Sequence, residues 1–500
     1  MKVLRACLLI FLLAFTAVPL TACQSGGDKI EDIFGQIPGF VDSKIDYEGK
    51  DFHIMVWGSG DKPKAEDAGS DKLSIAKIQQ EIAKRNNIGE IVWDTVGDWM
   101  AVQSGLTAKV MANNAPDIAL LVMNWYFPSV TNNLIAEVPD AQKIIDGSIL
   151  YHDKVSLGYK DNGKYYGLFD DHYIIASEGI CYNKDLMKKY SLEDPAKLFM
   201  EDKWDFDTFL KYCETLSKDT DNDGSIDQYG YGCPGVMDGR ADALNFLSAN
   251  GAEMLIEKDN KFEVGLDGSN ALGGLNLIKK IIFDNSYADI ELSMDFTRVT
   301  GLFKNQKIAM MGMCAWGVGM AENFSAGFVG YPKGPDAGNN YYLWNESPTI
   351  VAVPNGSNSS KRQTDALKVY EQVRLSGKYI MEWVNQDGTG LDKDVLDSVK
   401  AELAVPEAKN KIALTESVLK EWAGNEISEY SYPAIRKTIA SQRFAPFEGS
   451  NDFRHYGKSI FTDIAFGDYD PEGSLKVHNP DFQAIIDRDV NELIAKFENR

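Results

Sequence analysis

The sequence predicts an α/β protein with more than one core, and three observations carry that prediction. Short apolar runs suited to buried strands alternate with helical stretches in the first third of the chain. The alternation returns further along, near "QKIAMMGMCAW" (306–316) and "SPTIVAVPNGSNSSKRQTDALKVYEQV". A chain of 500 residues at 44% hydrophobic content exceeds what one core takes up, so two lobes are the default.

Each element follows from its residues. "FHIMVW" (52–57) is a short apolar run closed by Gly58, which reads as a buried strand. Ile75, Ile78 and Ile82 form one helical stripe, and "EIVWDTV" (90–96) is a second strand. A helical stretch through "SGLTAKVMANN" is stopped by Pro116 before a third strand, "DIALLV" (117–122). This spacing is that of a parallel, doubly wound sheet, which binds ligands at the carboxyl ends of its strands. Trp57 and the pair Asn124–Trp125 fall just past two such ends. "DNGKYYGLF" (161–169) gives a polar turn and a strand, "GICYNKDLMKKY" (179–190) a strand entering a helix, and "WDFDTFLKYCETLSK" a helix. Ile486, Val490, Leu493 and Phe497 mark a last helix. Trp93, Trp204 and Trp383 lie within strand or helix patterns and read as core; Trp99 and Trp422 have no clear place.

The amino terminus has the pattern of an export signal. Lys2 and Arg5 precede "ACLLIFLLAFTAVPL", too short for a comfortable membrane span, and "LTAC" ends at Cys23. "LTAC" resembles a bacterial lipobox, which implies cleavage of residues 1–22 and acylation of Cys23, with 23–48 as a tether. An ordinary secretory signal with an incidental cysteine is the alternative. Losing Lys2 and Arg5 takes the formal charge from −23 to −25. Such an acidic chain repels phosphate backbones, which argues against nucleic acid, and any membrane association would run through the lipid alone. Of six cysteines, Cys181, Cys213, Cys233 and Cys314 remain downstream. With no CxxC and five histidines, a zinc site is poorly supported. Cys213 and Cys233 flank an acidic loop and are either a bridge across it or two buried thiols.

That loop, "DTDNDGSIDQYG" (219–230), places Asp219, Asp221 and Asp223 at alternate positions, followed by Ser225 and Asp227. Oxygen-only ligands at that spacing favour calcium. An EF-hand would close with Glu at the twelfth position, where Gly230 stands. The expectation is a structural calcium clip of weak or moderate affinity, with an ion-free acidic turn as the alternative.

Five segments, "GKYYGLF", "ICYNKDLMKKY", "KWDFDTFLKYCETLSKDTDNDGSIDQYGYG", "LFKNQKIAMMGMCAWG" and "IVAVPNGSNSSKRQTDALK", together resemble the extracellular solute-binding proteins of family 1. These are lipoprotein receptors of ATP-binding-cassette (ABC) sugar importers, of which the maltose-binding protein is the best-known relative. The resemblance spans most of the chain; residues 391–480 depart most. It implies a two-lobed, type II periplasmic-binding-protein-like fold, each lobe a doubly wound sheet, with 49–177 and 342–388 in lobe one and 178–341 and 389–500 in lobe two. It also implies an interlobe cleft for a carbohydrate, an ABC permease as partner, and a monomer anchored outside the cell membrane.

Sugars present apolar C–H faces ringed by hydroxyls, so a cleft for them needs flat aromatic plates and paired hydrogen-bonding groups. Trp316 matches the aromatic that relatives stack under a sugar, and Asn124 with Trp125 stands where relatives carry ligand contacts. Trp57, the hinge-side trio Asp171, His172 and Tyr173, the polar pair Asp238 and Arg240, and Trp344 at a lobe crossing complete the expected ligand set. No catalytic residue is expected, and no GxSxG, HExxH or P-loop occurs. A polyamine or peptide receptor and a surface-anchored glycoside hydrolase are the competing readings.

Overall fold

The computed structural model describes residues 45–57, 62–63, 74–97, 101–155, 163–171, 176–234, 241–259, 261–288, 296–345, 348–356, 360–377, 427–443, 458–464 and 470–498. The strands are β1 (Phe52–Val56), β2 (Ile91–Thr95), β3 (Ile118–Leu121), β4 (Asp153–Val155), β5 (Gly167–Phe169), β6 (Glu178–Asn183) and β7 (Tyr229–Gly232). They continue with β8 (Leu255–Lys258), β9 (Lys261–Val264), β10 (Ile308–Cys314), β11 (Ala326–Val329), β12 (Leu343–Trp344), β13 (Ile350–Ala352) and β14 (Gln442–Arg443). The longer helices are α1 (Ile75–Arg85), α2 (Val102–Met111), α3 (Met123–Thr131), α4 (Phe206–Leu216), α5 (Ala241–Ala249), α6 (Ser269–Ile278), α7 (Phe296–Lys304), α8 (Ser360–Gly377), α9 (Ser431–Ala440) and α10 (Pro471–Ile486).

Two main sheets organise the chain: one in the order β2-β1-β3-β13-β5-β4, the other β11-β6-β10-β7. In the first, β1 pairs in parallel with both β2 and β3, as the strand–helix spacing predicts. The sheet is mixed beyond that point. β13 enters antiparallel between β3 and β5, and β4 pairs antiparallel with β5. β13 comes back to this sheet from β11 of the other one by way of β12, so no crossover helix dictates its direction. In the second sheet β10 lies between β6, antiparallel, and β7, parallel. All seven residues of β10 and all six of β6 are buried; β10 is apolar or small throughout, whereas β6 also buries Glu178 and Asn183 at its two ends.

Local chemistry sets the helix boundaries. Ser74 caps α1 by accepting the Lys77 N–H at 3.3 Å, and Ile78 and Ile82 turn into the core on the expected stripe. Asp205 caps α4 through the Thr208 N–H at 2.8 Å, and Phe206, Phe209, Tyr212, Cys213 and Leu216 are its buried residues. Trp204, just before this helix, is almost wholly enclosed; its rings meet Phe209 and Tyr212 edge-on, and its indole donates to the Gly330 carbonyl at 3.0 Å. Trp93 is only half-buried, its indole donating to Gln79 at 3.1 Å.

At the carboxyl end the expected helix is broken by a π-helical turn, Asp487–Asn491, between α10 and a helix at Glu492–Glu498. The cause lies in the β8–β9 hairpin. Gln483 accepts the Val264 N–H at 2.9 Å, while Asn491 accepts the Phe262 N–H at 2.9 Å and donates to its carbonyl at 3.0 Å. Eight residues of regular α-helix would leave Asn491 about 80° round the axis from Gln483. The wider π turn winds in more residues and brings both amides to the same strand. Ile486 and Val490 are buried as predicted. The side chains of Leu493 and Phe497 lie outside the described residues, as do Trp99, Trp383 and Trp422.

Candidate functional site

Because β1 and β3 are parallel neighbours, with Ile54 opposite Ile118, their carboxyl ends lie side by side. Trp57 follows the first and Trp125 sits in the opening turn of α3 after the second. Their rings meet edge-to-face with centroids 6.0 Å apart and planes at 72°. Trp125 is buried and Trp57 half-buried, so the pair forms one indole surface with Trp57 as its accessible member. Asn124 falls in the same turn of α3, and its side chain is outside the described ones.

The second sheet presents an aromatic pair at an equivalent position. β10 runs into a 3-10 turn, Ala315–Met320, whose second residue is Trp316. That turn is tied to the sheet by the Ala315 N–H, which donates to the Ser177 carbonyl at 2.9 Å. Trp316 is 37% exposed and Phe296 38% exposed, with ring centroids 6.2 Å apart and planes inclined at 42°. Phe296 was not among the residues expected from the sequence.

Other predicted residues have different surroundings. Asp171 is buried, and Arg374 of α8 grips both of its oxygens, Nε at 2.9 Å and a terminal nitrogen at 3.1 Å. Arg374 also lies 4.0 Å from Asp170, which accepts the Tyr370 hydroxyl at 3.2 Å. The first crossing between the sheets is thereby fastened to α8. Trp344 is buried in β12, paired with β14. Asn245 of α5 accepts its backbone N–H at 2.7 Å, and its indole donates to the Tyr342 hydroxyl at 3.0 Å. It packs with the second sheet's surroundings. His172, Tyr173, Asp238, Arg240 and Cys23 lie outside the described residues.

In the acidic loop, one carboxylate oxygen from each of Asp219, Asp221 and Asp223 lies within 4.8 Å of the others. Asp219 accepts the N–H groups of Asn222 at 2.7 Å and Gly224 at 2.8 Å, and Gly224 takes the left-handed φ of +93° that lets the turn close. These donors, Gly224 foremost, hold the Asp219 carboxyl below its ordinary pKa. Asp227 faces elsewhere: it accepts from the Thr220 hydroxyl and N–H, and Lys307 stands 3.3 Å away. Ser225 contributes its N–H to Asp223 at 2.8 Å. The three-aspartate cluster fits a hard cation, whereas Asp227 joins such a set only by leaving Thr220. Cys213 and Cys233 are both free, buried thiols, as are Cys181 and Cys314.

A surface hollow of about 390 Å³ lies in the second sheet's surroundings, lined by Phe206, Leu210, Lys280 and Lys333 among others; it contains none of the predicted site residues. Among the described residues, no helix is long and apolar enough to cross a membrane.

Comparison with known proteins adds the family. Residues 77–371 match the family model described as bacterial extracellular solute-binding protein. No curated protein sequence matches. Among solved structures, a cyclo/maltodextrin-binding protein complexed with maltotetraose aligns with TM-score 0.58 and 17% identity, over 89% of this chain and 99% of that one. An ABC substrate-binding protein from Listeria monocytogenes in complex with cycloalternan aligns with TM-score 0.53 and 16% identity, over 86% and 97%. A maltose/maltodextrin-binding domain from Bdellovibrio bacteriovorus bound to maltotriose aligns with TM-score 0.55 and 14% identity, over 88% and 100%. At these identities the likeness establishes the fold, a two-lobed, type II periplasmic-binding-protein architecture. With a family model covering more than half its length, the chain belongs to the bacterial extracellular solute-binding proteins.

Proposed function

We propose that this protein captures a carbohydrate of oligosaccharide size in the cleft between its lobes and delivers it, chemically unchanged, to an ABC permease. The observation that carries the reading is the placement of indole surfaces at strand carboxyl ends in both sheets, Trp57 with Trp125 in one and Trp316 in the other. Each offers a flat face to the C–H side of a sugar ring. In this reading lobe one spans 49–177 and 342–388, with β12 at the start of the second segment packed against the second sheet's surroundings, and lobe two is the remainder. Contacts from both lobes to one guest favour the closed form, and the permease reads that form. A lipid on Cys23 holds the monomer at the outer face of the membrane. A calcium ion on Asp219, Asp221 and Asp223 braces the loop between α4 and β7; its two positive charges offset the mutual repulsion of the carboxylates.

Titration of the purified protein with oligosaccharides, a polyamine and short peptides, followed by tryptophan fluorescence and melting temperature, tests the proposal. A ligand at a hundred times its dissociation constant adds about 2.7 kcal/mol of stability. Saturable binding of an oligosaccharide, recovered intact by mass spectrometry, is the expected result. A shift with the polyamine or peptide alone replaces the cargo, and a cleaved sugar replaces the receptor with a glycosidase.

A further inference from the structure

The carboxyl-terminal helices begin in one lobe and end against the other. α10 packs on α6, and its side chains hold the β8–β9 hairpin: Asn479 donates to the Leu266 carbonyl at 2.9 Å and Gln483 to the Phe262 carbonyl at 3.2 Å. Asn491, at the end of the π turn, grips both backbone groups of Phe262. The hairpin follows α5, which lies on β6 and β10, so this whole assembly belongs with the second sheet. The last helix, α11 (Glu492–Glu498), then packs against α3, which follows β3 of the first sheet and carries Trp125 in its opening turn. Val490 and Ile494 are buried there, in one apolar cluster with Tyr126, Phe127 and Val130 of α3. Among the described helices and strands, no other element attached to the first sheet packs as extensively on one attached to the second. Trp316, meanwhile, stands open to solvent.

We infer that α11 is a strap between the lobes which holds the cleft open, so that residues remote from the ligand set how readily it closes. Closure turns one lobe relative to the other, and a helix fixed to one and packed on the other does not keep both sets of contacts. Directional hydrogen bonds tie the strap to the hairpin, whereas its contact with α3 is apolar and yields first. The apolar surface covered at α3 therefore favours the open form alone. Any guest that closes the cleft works against it, and its apparent affinity is lowered accordingly. The π turn sets the strap's phase: it lets Asn491 stay on the hairpin while Ile494 faces inward. The inference rests on the two-lobed fold and not on the nature of the cargo.

Pulsed electron paramagnetic resonance on the ligand-free protein tests this, with spin labels on the exposed positions Thr107→Cys in α2 and Lys304→Cys in α7. The native thiols Cys181, Cys213, Cys233 and Cys314 are buried and stay unlabelled. The variants are Ile494→Ala, Ile494→Val and a chain ending at Asn491. The expected result is a second interlobe distance that appears or grows in Ile494→Ala and in the shortened chain, while Ile494→Val keeps the wild-type distribution. Should the shortened chain not fold, the two point variants decide. A helix that only stabilises its own lobe would lower the melting temperature of Ile494→Ala and leave the distances alone. Distributions of Ile494→Ala that superimpose on wild type therefore overturn the inference. A ligand found in the titration above should bind Ile494→Ala about three- to tenfold more tightly, because closure no longer breaks the strap; equal or weaker binding also overturns it. The distance measurement uses no ligand, so a failure of the carbohydrate reading leaves it intact.

Discussion

Replacing Arg374 with methionine leaves Asp171 as a buried carboxylate without its bidentate partner. The Arg374 side chain is 15% exposed and that of Asp171 3%, so water cannot take over the lost hydrogen bonds. Breaking a buried pair from one side costs about 3–5 kcal/mol, because the remaining charge stays desolvated. For a lobe of some 150–250 residues that corresponds to a fall in Tm of roughly 6–20 °C. The double variant Asp171→Leu/Arg374→Met removes both charges and should recover most of the loss, since a well-packed apolar pair is often close to neutral. Urea melts of wild type, the two single variants and the double variant give the coupling energy directly. A loss under about 1 kcal/mol in Arg374→Met would refute the buried-pair argument. The same measurement separates the two readings of Asp171. If Asp171→Asn abolishes ligand binding while stability stays within about 0.5 kcal/mol, the residue serves the ligand and not the crossing.

Three further outcomes are expected. Gly230→Ala would drive a Cβ into the backbone of Cys213, which has no flexible end to yield, so urea melts should show a loss of about 1–3 kcal/mol. If calcium occupies the acidic loop, millimolar calcium should raise Tm and a chelator should reverse the gain, with Asp219→Asn abolishing it. Because the Asp219 carboxyl is held below its ordinary pKa, its charge is present above the ordinary value and lost only as pH falls through the lowered one; the calcium-dependent gain should persist into the ordinary carboxylate range and disappear only in stronger acid. Burial pushes the thiols of Cys181 and Cys213 well up, so peptide mapping after maleimide treatment should find both unlabelled until denaturant is added.

The sequence makes β1, β3 and β10 legible because each is an apolar run bounded by Gly, Pro or a charged residue. Local patterns also place α1 and α4, through their caps and inward stripes. Partners distant along the chain are another matter. Nothing around Ile350 says that β13 inserts between β3 and β5, because antiparallel insertion is decided by where the chain returns from. Asp171 reads as a hinge-side acid until Arg374, 203 residues on, is seen holding it. Trp344 reads as a ligand residue at a lobe crossing until Asn245 and Tyr342 are seen taking up its polar groups. The alternation in the acidic loop gathers three carboxylates, but the turn of Asp227 toward Thr220 depends on side-chain direction that spacing does not encode. Phe296 has an ordinary amphipathic position, and only the end of the neighbouring strand leaves its ring in the open.

The paired amides of Gln483 and Asn491 also bear on solubility. Among the described residues β9 has β8 as its one strand neighbour, so its other rim is a row of hydrogen-bonding groups ready to template another strand. Those two side chains occupy that rim and deny it to neighbouring molecules. A chain truncated ahead of residue 483 would bare it, and its copies should associate edge to edge.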